Sequence, residues 1–183
     1  MARYIVKTRF SVAANALIFN DRNEILLCHR RDQDKWNFPG GAMEANETPE
    51  EAAVREAQEE IGVQVEIIQL LGVYTKTYAD DIVFAFLCKI TNGTPTASNE
   101  ADQIKYFPVE NLPANMSPVQ MERVNDAVQK QKKILFKKTN GTKCSQLRII
   151  LDEGVATASS RRPRNDTEAT SPTPTPPKRG VTP

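Results

Sequence analysis

A chain of 183 residues has room for one globular domain with a real core, and its 24 basic and 23 acidic residues leave a formal charge of only +1. That balance gives no pull toward nucleic acid or an anionic membrane, and no run approaches the roughly 18 apolar residues that a membrane span needs. Three widely spaced cysteines, Cys28, Cys88 and Cys144, fit neither a disulfide framework nor a zinc site, so a reducing cytoplasm is the expected setting.

Lys7 and Arg9 interrupt the first apolar stretch, which reads as strand and not as signal peptide. Residues 10–19 predict one strand and residues 24–29 a second. The turn Asn20-Asp21-Arg22-Asn23 between them suggests a hairpin. A charged loop, residues 30–35, and Trp36-Asn37-Phe38-Pro39 then lead into the pair Gly40-Gly41. Thr48-Pro49-Glu50-Glu51 is a helix start, with a cap, a proline at the first position and a glutamate placed to close a capping box. Gly62 is placed to end that helix in a left-handed turn.

Residues 63–74 are β-prone, and 78–81 read as a loop. Residues 82–90 are nearly all apolar, as expected of a central strand covered on both faces. Asn92-Gly93 turns the chain, 95–102 is polar loop and 104–109 gives one more short strand. Ser117-Pro118-Val119-Gln120 repeats the helix-start chemistry. Met121, Val124, Val128 and Leu135 then mark an apolar stripe, and Lys130, Lys132 and Lys133 sit where the helix dipole favours cations. Asn140-Gly141 suggests a last hairpin within 137–151. Residues 152–183 hold no aromatic side chain and six of the twelve prolines, the composition of a disordered tail. Strands and helices interleave without a regular βαβ period, which predicts an α/β domain over 1–136 with a mixed sheet and helices on its faces.

The chemistry concentrates in residues 41–63. On a helical wheel of about 100° per residue, Glu56, Glu59 and Glu60 fall within one arc of about 100°, beside an apolar arc of Ala53, Val54, Ala57 and Ile61. A solvated acidic face is the plain alternative for any glutamate-rich helix. Arg55 can pair with Glu59 at i+4, but one arginine does not neutralise three glutamates. A hard divalent cation such as Mg²⁺ does.

Spacing gives this stretch a more specific meaning. Gly41, five residues, Glu47, seven residues and then Arg55-Glu56-Ala57-Gln58-Glu59-Glu60-Ile61-Gly62-Val63 resembles the Nudix box of the Nudix hydrolases. Ala57 stands where that family more often has a larger aliphatic residue, and Phe38 where an aliphatic residue commonly precedes the proline. The resemblance covers roughly residues 10–130 and implies an α/β/α sandwich. The implied reaction is hydrolysis of a nucleoside diphosphate linked to another moiety, with Mg²⁺ as cofactor and Mn²⁺ as its substitute.

By position in the motif, Glu56, Glu59 and Glu60 are the implied metal ligands, with the Gly40 carbonyl and Glu47 as further contacts. Arg55 is the residue that orients the glutamates, and Gly41 belongs to the substrate-binding loop. Arg30 matches a position where relatives place a phosphate-contacting arginine, and Arg31 follows it. Glu100 is the candidate for an extra ligand or general base. Relatives carry a glutamate three residues before the aromatic of the next strand, where this chain has Gln103 before Tyr106. His29, the single histidine, reads as structural. Trp36, Tyr74, Tyr78 and Phe107 are core aromatics or stacking surfaces for a base.

Three functions stay open on the sequence. The first is a pyrophosphohydrolase of ADP-ribose, dinucleotides or nucleotide sugars, and the second a hydrolase of normal or oxidised nucleoside triphosphates. The third is a non-catalytic nucleotide sensor, a class that typically loses a box glutamate, whereas this chain keeps all of them. The expected partner is a small nucleotide, with neither membrane nor specific nucleic acid, and the family's frequent dimers make a homodimer an expectation.

Overall fold

The computed structural model describes residues 9–129 and 133–139. In chain order these form β1 (Ser11–Ile18), β2 (Glu24–Arg30), β3 (Trp36–Asn37), β4 (Gly40–Ala42), α1 (Pro49–Ile61), β5 (Gln64–Lys76), β6 (Asp81–Asn92), β7 (Ala101–Pro108), α2 (Pro118–Val128) and β8 (Leu135–Thr139). The Asn140-Gly141 turn, the tail at 152–183, Cys144, Lys130 and Lys132 lie outside the described residues.

Two sheets share the core. A five-stranded mixed sheet runs β4-β1-β6-β5-β8, and a three-stranded antiparallel sheet runs β3-β2-β7. The apolar strand β6 is central, parallel to β1 on one side and antiparallel to β5 on the other. Alternation along the strands sends side chains to two helices. Ala14, Ala16, Ile18 and Phe86 pack with Ala53, Ala57 and Ile61 of α1. Leu17, Ala85 and Tyr74 pack with Val124 and Ala127 of α2. A sheet between two helical faces is the mixed α/β architecture expected from the pattern.

Three local expectations need correction. β1 and β2 do not form a hairpin, although the turn between them is real and Asn20 donates its backbone N–H to the Glu24 carbonyl at 3.0 Å. Only the Phe19–Ile25 bridge joins them. Each strand is apolar on both faces and becomes the middle strand of its own trio, β1 between β4 and β6 and β2 between β3 and β7. Leu135 does not continue the helical stripe of α2, because α2 stops at Val128 and Leu135 opens β8, parallel to β5. β7 starts at Ala101, earlier than composition suggests, because its polar first residues pair with the end of β2 across a bulge at His29–Arg30.

Helix α1 begins and ends as its sequence dictates. Thr48 Oγ1 accepts from the Glu51 N–H at 3.2 Å, and the Glu51 carboxylate accepts from the Thr48 N–H at 2.7 Å. Gly62 closes the helix at φ 71°. The box glutamates are therefore held at fixed angles by local chemistry. Thr48→Ala should cost about 1 kcal/mol. A lower urea midpoint at unchanged slope would show that loss.

Candidate active site

Arg55 is the hub of the acidic face. Its Nε and Nη2 grip both oxygens of Glu47 at 3.1 and 2.8 Å, and Nη1 reaches Glu56 at 2.8 Å and Glu59 at 3.0 Å. Nη2 also donates to the Ala42 carbonyl at 3.0 Å, which ties α1 to β4. The guanidinium holds the Glu47 carboxyl below the usual range, helped by the Glu44 N–H. Those carboxylates in turn drive the Arg55 pKa up, Glu47 foremost. Burial raises the Glu56 pKa, and its bond to Arg55 only partly offsets that.

Glu60 stands apart from this cluster. It faces inward and accepts from the Gly40 N–H at 3.0 Å. Burial pushes its carboxyl up to about 7, with the charges of Glu56 and Glu100 adding to the effect and the Gly40 amide opposing it. The glycine pair makes the close approach feasible. A Cβ on Gly41 would lie 2.5 Å from the Glu56 carboxylate, and one on Gly40 would lie 2.3 Å from the Ala14 carbonyl. Gly40 also has φ 150°, which L side chains rarely adopt.

Glu60 opens into a cavity of about 290 Å³ that it shares with Cys28, Arg30, Arg31 and Glu100. Of the residues singled out from the sequence, this cavity brings together Glu60, Glu100, Arg30 and Arg31, while Glu47, Glu56 and Glu59 gather on Arg55 outside its lining. Arg30 grips Asp32 with Nε and Nη2 at 2.7 and 2.6 Å. The Arg31 N–H donates to the Glu100 carbonyl at 3.0 Å, which fixes the Glu100 loop at the cavity wall. Among the described residues, no three His, Cys, Asp or Glu side chains converge closely enough to cage an ion as they stand. Arg55 draws off oxygens of Glu56 and Glu59, while Glu60 points to Gly40. The donor set is nevertheless all carboxylate oxygen with the backbone carbonyls of a glycine loop, the hard chemistry that suits Mg²⁺.

His29 is held between two carboxylates. Nδ1 meets Asp102 at 2.8 Å and Nε2 meets Asp34 at 2.9 Å, and these two carboxylates raise its pKa. Trp36 is buried edge-on against Phe107 at 4.8 Å, and Tyr74 is buried beneath Arg123. Tyr78 alone of the four aromatics is exposed at a cavity.

Sequence reading missed two features. Cys28 Sγ lies 3.8 Å from a Glu60 oxygen, and burial keeps this thiol protonated. A second cavity of about 340 Å³ lies along β4, where Asn15, Gln120 and Arg123 meet Gly40 and Gly41. The signal for Arg123 was its place one turn from Val119 and one turn from Ala127, on the face of α2 that packs on the sheet.

The model of the NUDIX domain matches residues 9–127. The chain belongs to the NUDIX family. It is 31% identical over 118 residues to a MutT-like protein of Streptomyces ambofaciens, an alignment spanning 64% of this chain and 77% of that protein. It is 33% identical over 120 residues to an ADP-ribose pyrophosphatase of Methanocaldococcus jannaschii, spanning 62% of this chain and 70% of that protein. Among solved structures, a NUDIX hydrolase of Nitrosomonas europaea superposes with a TM-score of 0.65 at 24% identity, covering 75% of this chain and 82% of that one. The protein is thus a Nudix hydrolase, an enzyme of pyrophosphate bonds. Among its described residues no helix is long and apolar enough to cross a membrane.

The half-buried Glu60 of this Nudix hydrolase makes a stability prediction. Its folded-state pKa of about 7 lies above the ordinary glutamate value, so its contribution is complete at acid pH and is lost as pH rises through about 7. The loss is on the order of 3 kcal/mol. Glu60→Gln keeps an acceptor for the Gly40 N–H and removes the charge. In EDTA, thermal melts from pH 5 to 8 should show the variant gaining on the wild type and exceeding it at pH 8. Parallel melting curves would contradict this reading of the site.

Proposed function

We propose that this Nudix hydrolase is a Mg²⁺-dependent pyrophosphohydrolase of nucleoside diphosphates linked to another moiety, the class of ADP-ribose, dinucleotides and nucleotide sugars. The observation that carries the proposal is the shared cavity. A half-buried carboxylate, Glu60, shares one small space with two arginines, so acid for a cation and donors for phosphate oxygens stand together. The name of the Methanocaldococcus jannaschii relative supports this substrate class.

Glu56, Glu59 and Glu60, with the Gly40 carbonyl and Glu47 beside them, are the groups that would hold Mg²⁺ or Mn²⁺. When bound, the ion supplies charge neutralisation at the phosphates and lowers the pKa of water. Arg55 keeps the glutamates in register, and its grip on Glu47 braces the loop before α1. Arg30 and Arg31 take the non-bridging oxygens, Arg30 by exchanging Asp32 for phosphate on its Nε–Nη2 edge. Gly41 belongs to the substrate-binding loop, where the lack of a side chain lets the Glu56 carboxylate lie against the backbone. Glu100 acts as general base. A water oxygen bonds to phosphorus as the anhydride P–O bond breaks, the water proton passes to Glu100, and the departing phosphate carries away the bond's electron pair.

A second reading, hydrolysis of normal or oxidised nucleoside triphosphates, is favoured by one observation. A Bacillus subtilis protein provisionally named 8-oxo-dGTP diphosphatase is 33% identical over 118 residues. A product-resolved panel of ADP-ribose, dinucleoside polyphosphates, nucleotide sugars and triphosphates, with and without Mg²⁺, separates the two. Glu59→Gln and Glu60→Gln should each lower turnover on the preferred substrate by two orders of magnitude or more. His29→Ala should stay within several-fold of wild type. Full activity in both glutamate variants would overturn the metal assignment.

A further inference from the structure

The glycine strand β4 has little with which to hold its own place. It is three residues long, and β1 is its partner in the sheet. Gly40 and Gly41 bring no side chains to pack, so side chains of neighbouring elements must fix the strand. On one face α1 does this: Arg55 donates to the Ala42 carbonyl at 3.0 Å, and the Glu56 carboxylate lies against Gly41. On the other face stands Asn15 of β1, the register partner of Gly40 and only 8% exposed. A Cβ on Gly40 would lie 2.5 Å from Asn15 Nδ2, so this amide rests directly on the Gly40 backbone.

Helix α2 decides how that amide is turned. Arg123 Nη1 donates to Asn15 Oδ1 at 2.8 Å. A guanidinium can only donate, so it takes the amide oxygen and leaves the NH₂ toward Gly40. Arg123 is itself immobilised, 2% exposed and with its guanidinium carbon 4.9 Å from the centroid of the Tyr74 ring. The Tyr74 hydroxyl donates to Asp126 at 2.9 Å, and Asp126 accepts from Lys137 of β8 at 2.6 Å. Glu122 and Asp126 help to answer the guanidinium charge. A polar train thus runs beneath α2 from β8 to Gly40. It is costly, since Arg123 Nε and Nη2 are sealed without partners and apolar side chains of similar size would avoid the desolvation. Stability alone does not account for it. A buried hydrogen-bond network does fix the arrangement of the groups it joins. Here the last of them is Gly40, whose N–H donates to the Glu60 carboxylate at 3.0 Å.

We propose that Asn15 and Arg123 are positioning residues for hydrolysis: from the α2 side they set the place of Gly40, and through its N–H that of the Glu60 carboxylate. This rests on the reading of Glu60 as a carboxylate that holds the metal ion, and adds its support from the far side of the sheet.

The test compares Asn15→Ala, Arg123→Met, Arg123→Lys and Lys137→Met in the full chain. Four quantities are read at pH 8, well below the melting temperature of each variant: affinity of the metal-free protein for Mn²⁺, the exchange rate of the Gly40 amide by NMR, and kcat and KM on the preferred substrate. Asn15→Ala and Arg123→Met should each weaken Mn²⁺ binding and lower kcat by about ten-fold, with little change in KM. The Gly40 amide should exchange faster in both. Arg123→Lys keeps a donor for Asn15 Oδ1 and should recover most of the loss. Lys137→Met cuts the same network at its far end, so it should lower the melting temperature while Mn²⁺ affinity and kcat stay near wild type. If Arg123→Met does not fold, Asn15→Ala and Arg123→Lys decide the matter. Wild-type Mn²⁺ affinity, Gly40 exchange and kcat in Asn15→Ala would overturn the proposal. So would equal losses in Lys137→Met, which would mean that the network acts through stability alone. A wild type that neither hydrolyses the panel nor binds Mn²⁺ would sink the underlying reading, and Gly40 exchange would still judge the positioning.

Discussion

One guanidinium serving three carboxylates is the interaction on which the site depends. Glu47, Glu56 and Glu59 would repel one another if left bare, yet each accepts from Arg55 at hydrogen-bond distance. Arg55 also reaches the Ala42 carbonyl, so the same side chain that quiets the acidic face anchors α1 to the glycine strand. Glu60 gains nothing from it. Among the described residues its hydrogen-bond partners are one backbone amide and a thiol, and it is the carboxylate that burial drives furthest from its ordinary value. An active site that concentrates unmet charge on one residue costs stability, and a cation or a proton relieves it.

The second constraint is the low rim of β4. Gly40 and Gly41 form an edge of the five-stranded sheet, with the Glu56 carboxylate against Gly41 and with Glu60 and Asn15 held at Gly40. Any side chain here would collide with the Glu56 carboxylate or with the backbone of β1. The absence of side chains lets α1 and β1 close in on this strand, and the carboxylate cavity and the α2 cavity share a lining residue. Arg30, at the end of β2, touches both.

Much of this was legible in the residues. The capping box, the terminal glycine and the i, i+3, i+4 spacing of the glutamates are local rules, and α1 obeys them to the residue. The central position of β6 followed from its unbroken apolar run. What escaped were relations between distant segments. Partner choice for β1 and β2 depends on which strands arrive later in the chain, so a good turn at Asn20 to Asn23 was read as a hairpin. Leu135 continued a helical period that the chain had already abandoned. Arg123 was hidden for the same reason, because nothing local says that an arginine on a packed helix face will meet Asn15, 108 residues earlier, at the rim of a cavity.

The central claim is that Glu60 is the half-buried, partly protonated carboxylate that a divalent cation discharges. The most direct measurement is titration of the metal-free protein with Mn²⁺ at pH 6, 7 and 8, following free Mn²⁺ and proton release together. The account predicts affinity that rises across this range, close to one proton released per ion near pH 6 and little at pH 8, with Glu60→Gln binding weakly and without the pH dependence. Tight binding that ignores pH, or that survives Glu60→Gln unchanged, would contradict it.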